Sequence, residues 1–426
     1  MSPRFSHLCH SFTCRTAVTN SRRGVVVPFL LLSLTIFMLA FAVAVNKYWL
    51  WSVHEEMQTA ADAAAFAAGA ALADDDSLRG QLQRYPALMT RAANAAIALA
   101  EENQVRARSM TIADNLDNMP GGDIQFGALT RPFSNDFLQV AGRSSTSPNQ
   151  TLVNTVVIKV QQTKNRGTAP NLVFGALGGV PTGDVQAVSV VTLDRGIRGF
   201  QFLYEPVPFA PLALLSDAMM PQSWERQVES SEGPDLVSYN ATTAAFTQGA
   251  DLIHEFEAVY ATDTSQLPNA NVVLVHLGSD DAANIPTQLD GGITESDLAT
   301  MDGRFILPVV GAKAIAGQHV GPDVTNSTIR NIALSLEGLR SNGAIRIWPL
   351  YSGYDAQTDT VMITGFVAAR VVSVKQLAPG QPLSFTLQAT VMVLPSALTD
   401  TDLRGADAVY NANRYVVKLR RIGRVQ

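Results

Sequence analysis

Few stretches of the 426-residue chain combine residue types that could do chemistry. The strongest is the end of the apolar run Asn271 to Leu277, which carries His276 and passes into Gly278-Ser279-Asp280-Asp281. A hydroxyl beside two carboxylates could serve an anchored, exported hydrolase, since sites gather where strands finish. Ser, Asp and Gly are also ordinary turn residues, and the turn is the favoured reading. His254-Glu255-Phe256-Glu257 would place an imidazole and carboxylates on a helix surface, but no second His stands at zinc-ligand spacing. Asp290-Gly291-Gly292 with Glu295 and Asp297 has the composition of a cation loop without the alternating ligand order of an EF-hand. Asp74-Asp75-Asp76 before Ser77 reads as a helix-entry signal, where carboxylates suit the helix dipole, rather than as a cation site. His7, Cys9, His10 and Cys14 are irregularly spaced in a short tail and do not form a metal set. His276 and His319 read as structural histidines. There is no Gly-x-Ser-x-Gly elbow, P-loop or His-Glu-x-x-His. The expectation is a protein that is not an enzyme, with no catalytic, cofactor-binding or metal-ligating residue and no cofactor.

What would position any such group is dominated by one element, Val25 to Val45, twenty-one residues without charge. At about 1.5 Å per residue it crosses a hydrocarbon core of roughly 30 Å. Arg4, Arg15, Arg22 and Arg23 precede it with no Asp or Glu among them. That bias predicts a cytoplasmic N-terminus. Tyr48, Trp49 and Trp51 fall where an aromatic belt meets the far headgroups. Pro28 sits in the first helical turn, where its missing N–H costs little. Ala40-Phe41-Ala42 and Ala42-Val43-Ala44 match a small-x-small cleavage pattern, but the helical pattern runs straight past them, so an anchor is preferred to a removed signal. Beyond Asn46 the chain is rich in Ala, the strongest helix former. Met57, Ala61, Ala64, Ala68 and Leu72 make one stripe, with Asp62 and Phe66 turned away. A helix packed on its own domain is preferred to a stalk that self-associates through this stripe.

Arg22-Arg23-Gly24 leading into an apolar helix, then Gln58 and Ala60-Ala61-Asp62-Ala63-Ala64-Ala65, resembles the N-terminal signature of TadE/TadG-like proteins of the Tad (Flp) pilus-assembly machinery. The resemblance covers about residues 22–72 and continues more weakly to about Leu193. It takes in Asp123-Ile124-Gln125-Phe126-Gly127, Asn154 to Val160 and Asp184-Val185-Gln186-Ala187. It implies an anchored assembly component with other Tad pilus-assembly proteins as partners. Prepilins of that system are cut after a Gly followed five positions on by Glu, and that place after Gly24 is Phe29. The anchor-like TadG branch therefore fits better than a pilin-like subunit polymerising through its N-terminal helix. No Asp-x-Ser-x-Ser triplet marks the von Willebrand A module that many TadG-like proteins carry.

The fold class expected is α+β: a single transmembrane helix continuing into an Ala-rich helical stalk, then two β-rich extracytoplasmic domains. The divisions are 1–24 (cytoplasmic basic tail), 25–45 (transmembrane helix), 46–105 (Ala-rich stalk or hairpin), 106–200 (small α+β domain), 201–221 (Pro-rich connector, packed rather than solvated) and 222–426 (second β-rich domain). A second helix runs from about Ala87 to Gln104. In the first domain strands are expected at Ser109–Ala113, Asp123–Gly127, Leu152–Gln162 and Asp184–Leu193, with a loop at Ser144–Gln150. In the second they are expected at Asn271–Leu277, Phe305–Val310, Ala344–Leu350, Val361–Val374 with a bulge at Gly365, Phe385–Leu394 and Arg414–Leu419. Helices are expected there at Thr242–Ala261 and Asn326–Leu339.

The only cysteines, Cys9 and Cys14, lie before the anchor, so the exported part relies on packing rather than disulfides. A net charge of -6 leaves no nucleic-acid footprint. Arg414, Lys418, Arg420, Arg421 and Arg424 form a basic run, read as a charged edge strand, with an anionic surface as the alternative. The partners expected are the lipid of the bacterial inner membrane, other assembly proteins and a second copy through the Ala stripe.

Overall fold

Nothing between Pro28 and Gly69 interrupts a helix, and the computed structural model carries one helix, α1, through Val26–Leu72, 47 residues. The structure describes residues 26–79, 85–132, 137–140, 142–143, 153–261, 269–278, 282–307, 314–318, 326–355, 360–375, 381–403 and 413–422. The chain divides into two units, Met1–His54 with Gln162–Val185, and Glu55–Gln161 with Gln186–Gln426. It is an α+β protein: a long apolar N-terminal helix followed by strand-rich sheets.

In the second unit the Ala-rich part of α1 is buried along one stripe. Met57, Ala61, Ala64, Ala68 and Leu72 are closed off from solvent, as are Ala60 and Ala65, while Phe66 is exposed. The helix gives way to a 3-10 turn at Asp75–Ser77, whose Asp74 cap accepts a bond from the Asp76 N–H. A second helix, α2 (Tyr85–Glu102), buries Leu88, Met89, Ala92, Ala93, Ala96 and Ala100. These small faces permit close backbone approach, which is why Ala rather than Leu fills them.

A six-stranded sheet follows in the order Met392–Val393, Val416–Ile422, Val185–Asp194, Thr155–Gln162, Ile124–Ala128, Leu138–Gln139. Val156, Ile158 and Val160 alternate inward from the Thr155 strand as a half-buried strand requires. The sheet draws strands from both 106–200 and 222–426, with Leu419 opposite Leu193. Val416–Ile422 is therefore an interior strand and not the edge expected of it.

The larger sheet closes on itself. Glu255–Tyr260 pairs with Leu383–Ala389, which pairs with Thr360–Val374, and that with Ile345–Asp355. Ile345–Asp355 lies parallel to Leu212–Leu215, which pairs with Val272–Val275, and Tyr260 against Val272 completes the ring. Closure leaves these strands no free edge. Leu350 faces Gly365 while Tyr351 faces Ile363, so Thr364 is the extra residue of the bulge expected beside Gly365. The helix Asn326–Asn342 buries Ile329, Ile332, Leu336 and Leu339 and packs on Thr360–Val374. A short sheet, Arg304–Ile306, Ile197–Gln201 and Ala397–Thr399, contributes Phe200 and Phe305 to a cluster with Phe209 and Phe366.

Three expectations change. Thr242–Ala261 is not a helix: it holds Ala245–Gln248, hairpin partner of Val237–Asn240, and then Glu255–Tyr260. Asn240 Oδ1 accepts from the Thr242 and Thr243 N–H groups, Ala244 adopts φ 49° and Gly249 φ 139°, which break any helix. Ser109–Ala113 shortens to the two-residue strand Arg108–Ser109. The Pro-rich segment is packed as expected, but it also supplies the buried strand Leu212–Leu215. Ser144–Gln150 lies outside the described residues.

Candidate functional site

The first unit is built on α1 from Val26 to His54. From Val26 to Val43 its large side chains, among them Leu31, Leu34, Phe37 and Val43, stand exposed, a state water does not tolerate in such density. Length, mean hydropathy and exposure fit a single-pass membrane protein. Ala42 is the first buried residue of the helix, and Val45, Asn46, Trp49 and Leu50 continue its half-covered face. That face carries the segment 162–185. Phe174 packs against Phe41 with ring centroids 6.3 Å apart and the rings tilted by 59°, and its N–H donates to Asn46 Oδ1 at 2.8 Å. Trp49 Nε1 donates to the Asn171 carbonyl at 3.0 Å. Leu50 fills the space where a side chain on Gly183 would stand.

In the second unit, charge fastens the turn after α1 to the closed sheet. Asp75 accepts from Arg370 Nη1 at 2.8 Å, Thr390 Oγ1 at 2.7 Å and the Val391 N–H at 2.7 Å. Arg370 lies 4.0 Å from the centre of the Tyr239 ring. Arg79 reaches Asp76 and Asp251 at 3.0 and 3.3 Å. The Asp74-Asp75-Asp76 run thus acts as a helix entry whose carboxylates meet arginines.

Beside it opens a cleft of about 340 Å³ lined by Arg79, Glu229, His254, Arg414 and Tyr415. The Tyr415 hydroxyl donates to Glu229 at 3.2 Å and accepts from Trp224 Nε1 at 3.2 Å. Burial, with Glu225 close by, pushes the Glu229 carboxyl above its ordinary value. Burial, then the Glu229 charge, does the same to the Tyr415 phenol. His254 Nδ1–H donates to the Gly233 carbonyl at 2.8 Å. Trp224, Tyr415 and Glu229 thus form one hydrogen-bonded chain and His254 is tied to backbone, an arrangement other than a nucleophile with a base beside it.

The other residues singled out by sequence fall apart chemically. Glu255 sits on a strand, accepting from the Leu236 and Val237 N–H groups, and burial raises its pKa. Asp297 closes a capping box on Thr294 and accepts from Gln288. His276 is buried at the end of Val272–Val275. Among the described residues no group of three or more His, Cys, Asp or Glu is arranged to hold a metal. Ser279, Asp280, Asp281, His319, Arg424 and the tail residues His7, Cys9, His10 and Cys14 lie outside the described residues.

Among the described residues of the basic run, three already meet acids. Lys418 bonds Asp402 at 3.0 Å, Arg420 bonds Asp194 at 3.1 Å and Asp402 at 2.8 Å, and Arg421 bonds Asp62 on α1 at 2.8 Å. Sequence reasoning missed this because the acids lie hundreds of residues or a whole element away. The one local signal was Asp400-Thr401-Asp402 upstream of the run.

Among curated proteins and among solved structures nothing matches the chain. Residues 24–71, the exposed apolar helix together with its Ala-rich continuation, match the Tad family model, described as Flp pilus-assembly TadE/G-like.

Proposed function

We propose that the chain is a non-enzymatic, membrane-anchored component of a Flp (Tad-type) pilus-assembly or secretion apparatus. Its N-terminus faces the cytoplasm, and the bulk of the chain stands outside the bacterial inner membrane as scaffold or binding surface for other assembly proteins. The observation that carries this is the match over residues 24–71, which coincides with the exposed, membrane-length part of α1. The Arg bias before that helix supports the orientation. The scaffold reading draws support from the candidate chemical groups: those described serve as caps, turns and ion pairs. Self-association through the Ala stripe is disfavoured, because Gly69 on that helix already abuts Val191 and Leu419 of the same chain.

Deleting the chain from its own cell should abolish surface pili of this class, and full-length protein should restore them. Normal piliation in the deletion strain would overturn the assignment. In the same cells an alkaline phosphatase fused at Gln426 should be active, and an inactive fusion would reverse the topology.

A further inference from the structure

The segment between Arg166 and Asp184 carries no charged residue and no His. It folds as a small hairpin whose two arms pair with each other, while the Phe174 N–H and the Asn171 carbonyl bond Asn46 and Trp49 of α1. Leu172 N–H donates to Pro181 O at 2.9 Å, Gly183 N–H to Pro170 O at 3.1 Å and Val180 N–H to Gly175 O at 3.1 Å. Internal pairing of this kind is what a hydrocarbon environment demands of non-helical backbone. Three large apolar side chains nevertheless point outward: Val173, Leu177 and Val180 are 55%, 60% and 47% exposed.

The hairpin's position on α1 identifies what covers them. It is fastened at Phe41, Asn46, Trp49 and Leu50. If Val26–Val45 fills a core of about 30 Å, Phe41 lies about 6 Å inside its end at 1.5 Å per residue. Phe174, whose ring centre lies 6.3 Å from that of Phe41, lies near that depth, while Asn46 and Trp49 sit at the headgroup level. The exposed apolar patch is therefore continuous with the lipid-facing surface of the span.

We propose that 171–181 is a second membrane element, a monotopic hairpin embedded among lipid acyl chains in the leaflet at the C-terminal end of the span. This rests on the reading that Val26–Val45 crosses the bilayer. The hairpin would then hold α1 in a fixed rotation, since only one face of the helix carries it.

The test uses full-length protein with Cys9→Ser and Cys14→Ser, reconstituted into phosphatidylcholine vesicles. A single cysteine labelled with an environment-sensitive fluorophore is placed at Leu177, at Leu34 within the span, or at Ala241 in the exposed hairpin turn. Leu177→Cys should lose emission to phosphatidylcholine bearing an acyl-chain doxyl group and resist aqueous iodide, while Ala241→Cys should do the reverse. Quenching of Leu177→Cys by iodide alone would overturn the proposal. Resistance to both quenchers would overturn it too, by pointing to a second copy as the cover. If Leu34→Cys also fails to respond to doxyl lipid, the anchor reading itself has failed.

Discussion

Two apolar stretches of one helix behave in opposite ways. From Val26 to Val45 the side chains are mostly Leu, Ile, Phe, Val and Met, and nearly all stand exposed. From Ala60 to Leu72 they are mostly Ala, and one whole face is sealed. The bulkier side chains lie on the exposed stretch and the smaller ones on the packed stretch. Bulky groups have no reason to leave lipid, which is as apolar as they are. Small groups allow a sheet to approach the backbone, and the close contacts then replace the missing side-chain area.

The largest effect should come from charging the lipid-facing stretch. Leu34→Asp with Phe37→Asp should shift insertion by about 6 kcal/mol, taking roughly 3 for each acid near the helix centre. The protein should move from the carbonate-resistant membrane fraction to the soluble one. The melting temperature of the detergent-solubilised folded portion should stay unchanged, and a coincident drop would mean the two stretches are not independent.

Enlarging the packed stretch should cost less and register elsewhere. A Cβ on Gly69 would stand 2.8 Å from Val191 Cγ1 and 3.0 Å from Leu419 Cδ2. Gly69→Leu should destabilise the folded portion by about 1–3 kcal/mol in chemical denaturation, as overpacked cores do. Ala44→Leu, which adds the same kind of bulk to the exposed stretch, should change nothing measurable. Equal effects would erase the distinction between the two faces.

Periodicity made much of this legible in the sequence. The span was legible from its unbroken apolar length, and the Ala stripe, the strand with Val156, Ile158 and Val160 and the helix beginning at Asn326 each keep one repeat over two or more turns or pleats. Thr242–Ala261 failed for the converse reason: Ala, Gln and Glu gave it a helical composition, while the Asn240 turn and pairing to Leu383–Ala389 decide its structure. Leu212–Leu215 hid between prolines because four consecutive apolar residues carry no alternation. The partners of Arg420 and Arg421 could not be read at all, since Asp194 and Asp62 meet them only through sheet pairing and helix packing.

Acid should separate the two stretches by a smaller margin. The exposed stretch has no titratable group. The packed stretch leans on Val416–Ile422, whose Lys418 and Arg420 both bind Asp402. Partial burial works to raise the Asp402 pKa, but hydrogen bonds from Arg420, Lys418 and the Thr399 N–H outweigh it and hold the carboxyl at about 2, below its ordinary 3.8. A folded-state pKa that is depressed adds stability above the unfolded value and loses it as pH falls through the folded one. Allowing for solvent screening, the contribution is about 1 kcal/mol. Wild type should thus exceed Asp402→Asn by about that amount near pH 6, the gap closing between pH 4 and 2 in urea titrations. Membrane retention of both proteins should stay flat over the same range. A gap that persists at pH 2 would place the stabilisation in the geometry of the side chain rather than in its charge.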